Sequence, residues 1–408
     1  MLDNRLAGAD FVRAAACFVV LFHHLAQRMS WDDNLGFIEP FRVFTQFGTF
    51  GVAMFFVLSG FLLARPFWLA LDEGEEMPSI RTYALRRAAR ILPGFWLALT
   101  VTFVLSVTVF GAPLDGWLVL RYVAGLLAVS DWHWTTLFPV EVNGPLWSIG
   151  FEVTSYVLLP FGLAALFVLR PITGRGWHIR VLWLMVIAVA LLAHWLFTRY
   201  VRVDMHLRGW EHGLQGGAKF WMPRYNPFGF FAIFAIGALA AGLQVRLAKY
   251  RSLAFDLLTI AGIGLAIWAF GRQMSAQSPD GFGFLGVPYD FPGFPLIMGL
   301  ILAAGPSSML VGAALDNPVT RYLARISFGI YVWHYLVLEL TRRFFVPAID
   351  HGGMADPIMF VATASAITAV TIVVADLSFR LVEAPAIRWA RAYEGKSAAP
   401  ATLSPAAG

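Results

Sequence analysis

Long apolar runs recur along the whole chain, separated by short connections that carry most of the basic residues. A helix that crosses the hydrocarbon core of a bilayer needs about 20 mostly apolar residues. On that criterion the sequence predicts spans near 8–27, 46–70, 91–110, 146–169, 181–198, 227–245, 253–270, 292–314, 326–346 and 358–381. A further apolar stretch, 117–129, is short and contains Arg121, which predicts a re-entrant or interfacial piece. The expected architecture is all-α: a polytopic transmembrane helical bundle of about ten spanning helices. Gly48, Gly51 and Gly60 mark a site of close helix packing. Residues 1–390 read as a single transmembrane domain. The segment 391–408, ending KSAAPATLSPAAG, reads as a disordered tail.

Composition agrees with this picture and narrows it. Hydrophobic residues make up 59% of the 408 and charged residues 13%, against roughly 25% charged in soluble domains. So few charges do not cover a water-facing surface, and lipid has to cover most of it. The net charge of +5 does not suggest nucleic acid, because no basic stripe with interleaved exposed aromatics exists. The basic residues act instead as topology signals. With the N-terminus inside and 117–129 not crossing, nineteen of the 30 Lys and Arg residues fall on the inner side, which predicts both termini in the cytoplasm. The longest outer loop is then 199–226. The single cysteine, Cys17, forms no internal disulfide. No cleavable signal peptide is evident, and the first apolar run is expected to remain as helix one. His206 and His212 lack metal-ligand spacing, and no metal is expected.

Ionisable groups at membrane depth are costly, so each one is a candidate for function. The first span holds Asp10, Arg13 and the pair His23–His24. Asp10 and Arg13 are three apart and suited to an ion pair. Arg13 and His24 are eleven apart, close to three full turns, and share a face. An interfacial, water-facing position would also account for the two histidines. In RTYALRRAARILPGFW, Arg86, Arg87 and Arg90 lead into the third span. Such a cluster sets topology, or it forms an anion site, since guanidinium forks match phosphate oxygens. In NGPLWSIGFEVTSYVLLP, Ser148 and Glu152 are one turn apart, Trp147 precedes them and Asn143 is a candidate cap. An isolated buried glutamate needs a partner, and His24 is the expected one. His334 and Glu339 lie in SFGIYVWHYLVLEL, where a packing role is as compatible as a chemical one.

Taken in order, these segments resemble acyltransferase family 3, the integral membrane O-acyltransferases of bacteria and some eukaryotes. The resemblance runs from about Asp10 to Pro385. RAAACFVVLFHH is similar to the family's first-helix Arg and His, FGTFGVAMFFVLSGFLLAR to its second helix, and RRAARILPGFW to its Arg-x-x-Arg element. GPLWSIGFEVTSYVLLP is similar to its Trp-Ser…Glu segment, and SFGIYVWHYLV with VEAPAIRW to its C-terminal pair. The resemblance implies His24 as the catalytic histidine, with His23 as the one-residue alternative, and Arg13 as companion. It implies Arg87 and Arg90, with Arg86 beside them, as contacts of an acyl-CoA co-substrate, and Glu152 as the acidic position. The additional soluble domain that some members carry is not expected in this chain.

The expected activity is transfer of an acyl group, acetyl above all, from acyl-CoA to a hydroxyl of a cell-envelope glycan in a bacterial inner membrane. His24 acts as base or acyl carrier, Glu152 orients it, and Trp147, Ser148 and His334 line the substrate path. Acyl-CoA is a co-substrate, with no tightly bound cofactor; membrane lipid surrounds the chain. Two alternatives stay open for the activity. One is acylation of a small metabolite such as a macrolide-type compound. The other is a proton-coupled transporter or flippase, for which intramembrane Asp, His and Glu are also suited, although no inverted repeat is present. A non-catalytic assembly subunit is a third reading.

Overall fold

The computed structural model describes residues 6–29, 48–173, 176–276, 280–346 and 356–398. Its long helices are α1 (Ala9–Met29), α2 (Phe50–Glu73), α3 (Ile80–Thr108), α5 (Ser148–Thr173), α6 (Trp177–Tyr200), α8 (Pro227–Leu247), α9 (Leu253–Ser275), α12 (Pro318–Phe344) and α13 (Pro357–Ser378). Between them lie shorter helices: α4 (Gly116–Leu126), α7 (Gly213–Trp221), α10 (Gly293–Ala304) and α11 (Val311–Leu315). A π-helical turn, Phe379–Glu383, joins α13 to α14 (Ala384–Ala398).

Local sequence sets several of these starts. Asn226-Pro227, Asn317-Pro318 and Asp356-Pro357 each place an amide-accepting side chain at the N-cap and proline at the first helical position. Asn317 and Thr320 complete a capping box. Asp115 caps α4 by accepting from the Leu118 amide at 2.8 Å. Asn143 does not cap, contrary to expectation. Its amide donates to the Val332 carbonyl at 2.8 Å, and α5 begins instead from the 3-10 turn Gly144–Trp147.

At the centre, α2 and α8 touch backbone to backbone. A side chain at Gly60 would run into the Phe234 carbonyl, and one at Gly237 into the Val57 carbonyl. Gly51 packs in the same way against Ala16 and Val20 of α1. One end of the bundle is tied by charge: Arg180 forks onto Asp72 at 2.9 and 2.7 Å, and Arg246 reaches the same carboxylate at 3.1 Å. The other end is aromatic. Trp147, Trp221, Tyr225 and Phe230 form one cluster, in which the Trp221 and Tyr225 rings stack at 4.4 Å. The 199–226 loop, with α7 inside it, folds onto this end, where Lys219 pairs with Asp204 at 2.6 Å.

Eight helices among the described residues are long and apolar enough to cross a bilayer. The other two expected spans differ for physical reasons. α10 is short and gives way to a 3-10 turn at Gly305–Ser307. α12 has 27 residues but carries Arg321, Arg325, Glu339, Arg342 and Arg343. Every side chain from Ile326 to Glu339 is buried. α12 is therefore wrapped by protein and needs no lipid-compatible face. Lipid faces are evident on α6 (Val181, Met185, Val189), α9 (Leu257, Ile260) and α13 (Ile358, Val373), all exposed. At about 1.5 Å per residue, the eleven-residue α4 falls well short of the hydrocarbon core, as the 117–129 stretch implied. The disordered tail expected from 391 is helical as far as Ala398; residues 399–408, like 46–47 of the second predicted span, lie outside the described ones.

Candidate active site

Five helices, α1, α2, α3, α5 and α12, enclose a polar cavity lined by Arg13, Ser59, Arg87, Arg90, Ser148, Glu152, Tyr156, Ser327 and Tyr331 among apolar side chains. Its volume is about 720 Å³, counted with the open space at its mouth. The sequence spacing thus brings Arg13, Arg87, Arg90, Ser148 and Glu152 to one place.

Three guanidiniums converge at one end. Neither Arg13 nor Arg87 has a hydrogen bond or ion pair to another described residue. The ion pair expected between Asp10 and Arg13 does not form; Arg13 turns to the cavity. Arg90 is held lightly: it donates to the Arg325 carbonyl at 3.2 Å and stands 3.9 Å from the Glu383 carboxylate. Glu383 closes the π turn and is 0% exposed. Gly94, one turn beyond Arg90, leaves the space its side chain occupies. Arg86 is not part of this group. Its side chain is 56% exposed and forks onto Glu394 of α14 at 2.7–3.0 Å, outside the cavity lining.

Glu152 and its neighbours form the middle. Tyr156, one turn on, donates to the Glu152 carboxylate, and Ser59 of α2 donates to the same oxygen at 3.1 Å. His24, the partner expected from sequence, does not touch Glu152. The i, i+4 spacing of Glu152 and Tyr156 was the available signal for the true partner. Further along, the Ser148 and Tyr331 hydroxyls are 2.7 Å apart, and Tyr331 donates to the Pro145 carbonyl at 3.0 Å. Ser148 also reaches the Pro145 carbonyl, at 3.5 Å, and either hydroxyl can donate within the pair. Trp147 is buried in the aromatic cluster and does not line the cavity.

The cavity lining stops at Ser148 and Tyr331. One turn beyond Tyr331 on α12 is His334, its ring centroid 6.0 Å from that of Tyr331. Nε2 of His334 lies 3.0 Å from Nδ1 of His24. His23 packs edge-on against His24 at 4.9 Å, and Tyr335 does so at 5.0 Å. Arg13 and His24 are thus two ends of one stripe of α1, about 16 Å apart along the axis at 1.5 Å per residue. Behind α5, Asp131 is 0% exposed and accepts from Thr154 at 2.8 Å. Burial pushes its carboxyl up to about 6.

Among the described residues, a many-pass helical bundle encloses a basic-mouthed cavity with an imidazole pair behind it, a geometry suited to a membrane-embedded enzyme. The chain belongs to acyltransferase family 3: the family model described as an acyltransferase domain matches residues 6–380. The protein is an acyltransferase, which decides for an enzyme over a transporter or an assembly subunit. It is 23% identical over 400 residues to Nodulation protein 10 of Rhizobium leguminosarum bv. viciae, covering 93% of this chain and 92% of that one. It is 25% identical over 415 residues to the peptidoglycan O-acetyltransferase OatA of Listeria monocytogenes, covering 92% of this chain and 55% of the relative. A putative O-acetyltransferase of Staphylococcus aureus is 21% identical over 419 residues, 95% of this chain and 59% of the relative. The chain thus spans little more than half the length of the last two. No solved structure matches it.

Proposed function

We propose that the protein transfers an acetyl group from acetyl-CoA to a hydroxyl of a cell-envelope glycan, with the Asp72 end of the bundle facing the cytoplasm and both termini on that side. The observation that carries this reading is the composition of the cavity. Three guanidiniums, two of them without a protein partner among the described residues, stand at one end of it, and a histidine pair stands just beyond the other. A coenzyme A thioester has that polarity: phosphates at one end, the reacting carbonyl at the other. Arg170, Arg180, Arg246 and Arg251 near the Asp72 end support the orientation. The names of the O-acetyltransferase relatives support the acetyl group, and that of OatA supports a glycan acceptor.

In this reading Arg13, Arg87 and Arg90 hold the donor phosphates by charge-assisted hydrogen bonds. His24 removes the proton from the acceptor hydroxyl as its oxygen attacks the thioester carbonyl carbon. The C–O bond forms, the C–S bond breaks, and the departing thiolate recovers the proton from His24. The Ser148–Tyr331 pair stands between cavity and histidines and has to yield for the thioester to reach His24. Glu152 offsets the arginines and does not orient the base.

The test uses membrane vesicles with matched amounts of wild-type and His24→Ala protein, supplied with acetyl-labelled acetyl-CoA. The expected result is label in base-labile ester on envelope glycan with the wild type, and a loss of about 10²-fold or more in the variant. Undiminished ester from His24→Ala removes the residue from the chemistry. Label that appears only in small extractable metabolites refutes the glycan acceptor.

A further inference from the structure

We propose that His334 is a positioning residue that fixes His24 in its Nδ1–H tautomer, so that Nε2 is the basic nitrogen; this rests on the reading of His24 as general base. Nδ1 of His334 lies 3.1 Å from the Ile330 carbonyl oxygen and 2.7 Å from that of Tyr331. Both are acceptors without a proton to give, so Nδ1 carries the ring proton. A neutral imidazole has one such proton, and Nε2 of His334 is therefore an acceptor. That acceptor is 3.0 Å from Nδ1 of His24, and the Val20 carbonyl oxygen is 3.0 Å from the same atom. Among the described residues Nδ1 of His24 again faces acceptors, and it carries its proton. Its Nε2 is the unprotonated nitrogen.

The relay runs from two backbone carbonyls through His334 to His24, and each step is set by the one before. It does for His24 what a carboxylate does in a serine-hydrolase triad, where the third group holds the tautomer and orientation of the base. A neutral imidazole does so without burying another charge at membrane depth. His334 is 2% exposed, Tyr335 and His23 pack against the His24 ring, and nothing in the arrangement requires His334 to touch substrate. When the acceptor proton moves to Nε2 of His24, the Nδ1–H bond to His334 remains and holds the imidazolium. The proton leaves again with the thiolate, and His334 ends as it began.

Two measurements on the full chain in lipid nanodiscs test this. In ¹⁵N-histidine-labelled protein, the His24 signal, identified by its loss in His24→Gln, is expected to report a protonated Nδ1 and a bare Nε2 near neutral pH. A protonated Nε2 in the wild type overturns the proposal. In kinetics, His334→Leu removes the acceptor and is expected to lower kcat about 10²- to 10⁴-fold with donor KM nearly unchanged. His334→Gln, whose side-chain oxygen can accept from His24, is expected to recover most of that loss. Equal impairment of the two variants points to packing alone and overturns it. Should His334→Leu fail to reach the membrane, the ¹⁵N measurement decides alone. If His24→Ala retains full activity, the underlying mechanism fails; if His24→Ala is inactive while His334→Leu is unimpaired, only the positioning role fails.

Discussion

The contact between Arg90 and Glu383 makes an asymmetric prediction. The two charges are 3.9 Å apart, which corresponds to about 4 kcal/mol of attraction at an effective dielectric of about 20. The two partners pay differently for it. The Glu383 carboxylate is fully buried and neither oxygen has a well-formed hydrogen bond, so Arg90 is its main source of compensation, with the Ser378 hydroxyl a lesser one. Arg90 is 21% exposed towards the cavity and also donates to the Arg325 carbonyl, so it retains solvation and a hydrogen bond if Glu383 is lost. Arg90→Ala should therefore strand a buried acid and destabilise by about 3–5 kcal/mol. Glu383→Gln should cost about 1 kcal/mol or less, since it removes a poorly solvated charge and leaves one that water reaches.

The double variant separates stability from function. Arg90→Ala/Glu383→Gln leaves no stranded charge and should recover most of the melting temperature lost in Arg90→Ala. It should not recover donor binding, because the guanidinium is still missing. The assay is thermal unfolding of detergent-solubilised protein, read as a rank order because membrane proteins of this size unfold irreversibly, together with donor KM in nanodiscs. Glu383→Gln as damaging as Arg90→Ala, or a double variant no more stable than Arg90→Ala, refutes the reasoning.

The other arginines divide by where they point. Arg87→Ala removes a guanidinium with no protein partner among the described residues; it should leave melting unchanged and raise donor KM roughly 10- to 100-fold, the value of a charged hydrogen bond of about 1.5–3 kcal/mol. Arg86→Ala breaks only an exposed pair with Glu394 and should leave donor KM where it is; a rise equal to that of Arg87→Ala would put Arg86 back among the donor contacts. Asp131 gives a pH signature. Folding raises its carboxyl from near 4 to about 6, so the folded state binds the proton more tightly. The linked stability is complete below pH about 4 and is lost as the pH rises through 6, by about 3 kcal/mol at most. Asp131→Asn should flatten that part of the melting-against-pH curve, and parallel curves for the two proteins would show that Asp131 is not the titrating group.

Most of the fold was legible because its signals are local. Apolar runs gave eight helices directly, whereas the starts at Asn226-Pro227, Asn317-Pro318 and Asp356-Pro357 are set by capping chemistry that the apolar runs do not carry. The cavity residues were legible for the same reason: Arg87 and Arg90, and Ser148 and Glu152, are each set on one helix face by spacing, as Arg13 is with His24 beyond the cavity. What failed was pairing between helices. An acid and a base expected in the same half of the membrane invited the partnership of Glu152 with His24, and sequence distance carries no information about which of several buried groups will meet. The structure gives Glu152 to Tyr156 and Ser59, and His24 to His334, 310 positions away. The same limit hid Glu383, which reads as one residue of VEAPAIRW until α13 and the π turn bring it to Arg90.

The polarity of α12 was the unused clue. Thirteen residues, Ile326–Leu338, separate Arg325 from Glu339, too few apolar positions for a lipid-facing span of about 20. A helix that must run the depth of the bundle with so little apolar length has to be covered on all sides by protein. A helix covered on all sides is where a polar network survives without exposure to hydrocarbon. His334 sits in the middle of that covered stretch and Tyr331 one turn before it. The weakest hydropathy among the long helices thus pointed to the helix that carries the relay.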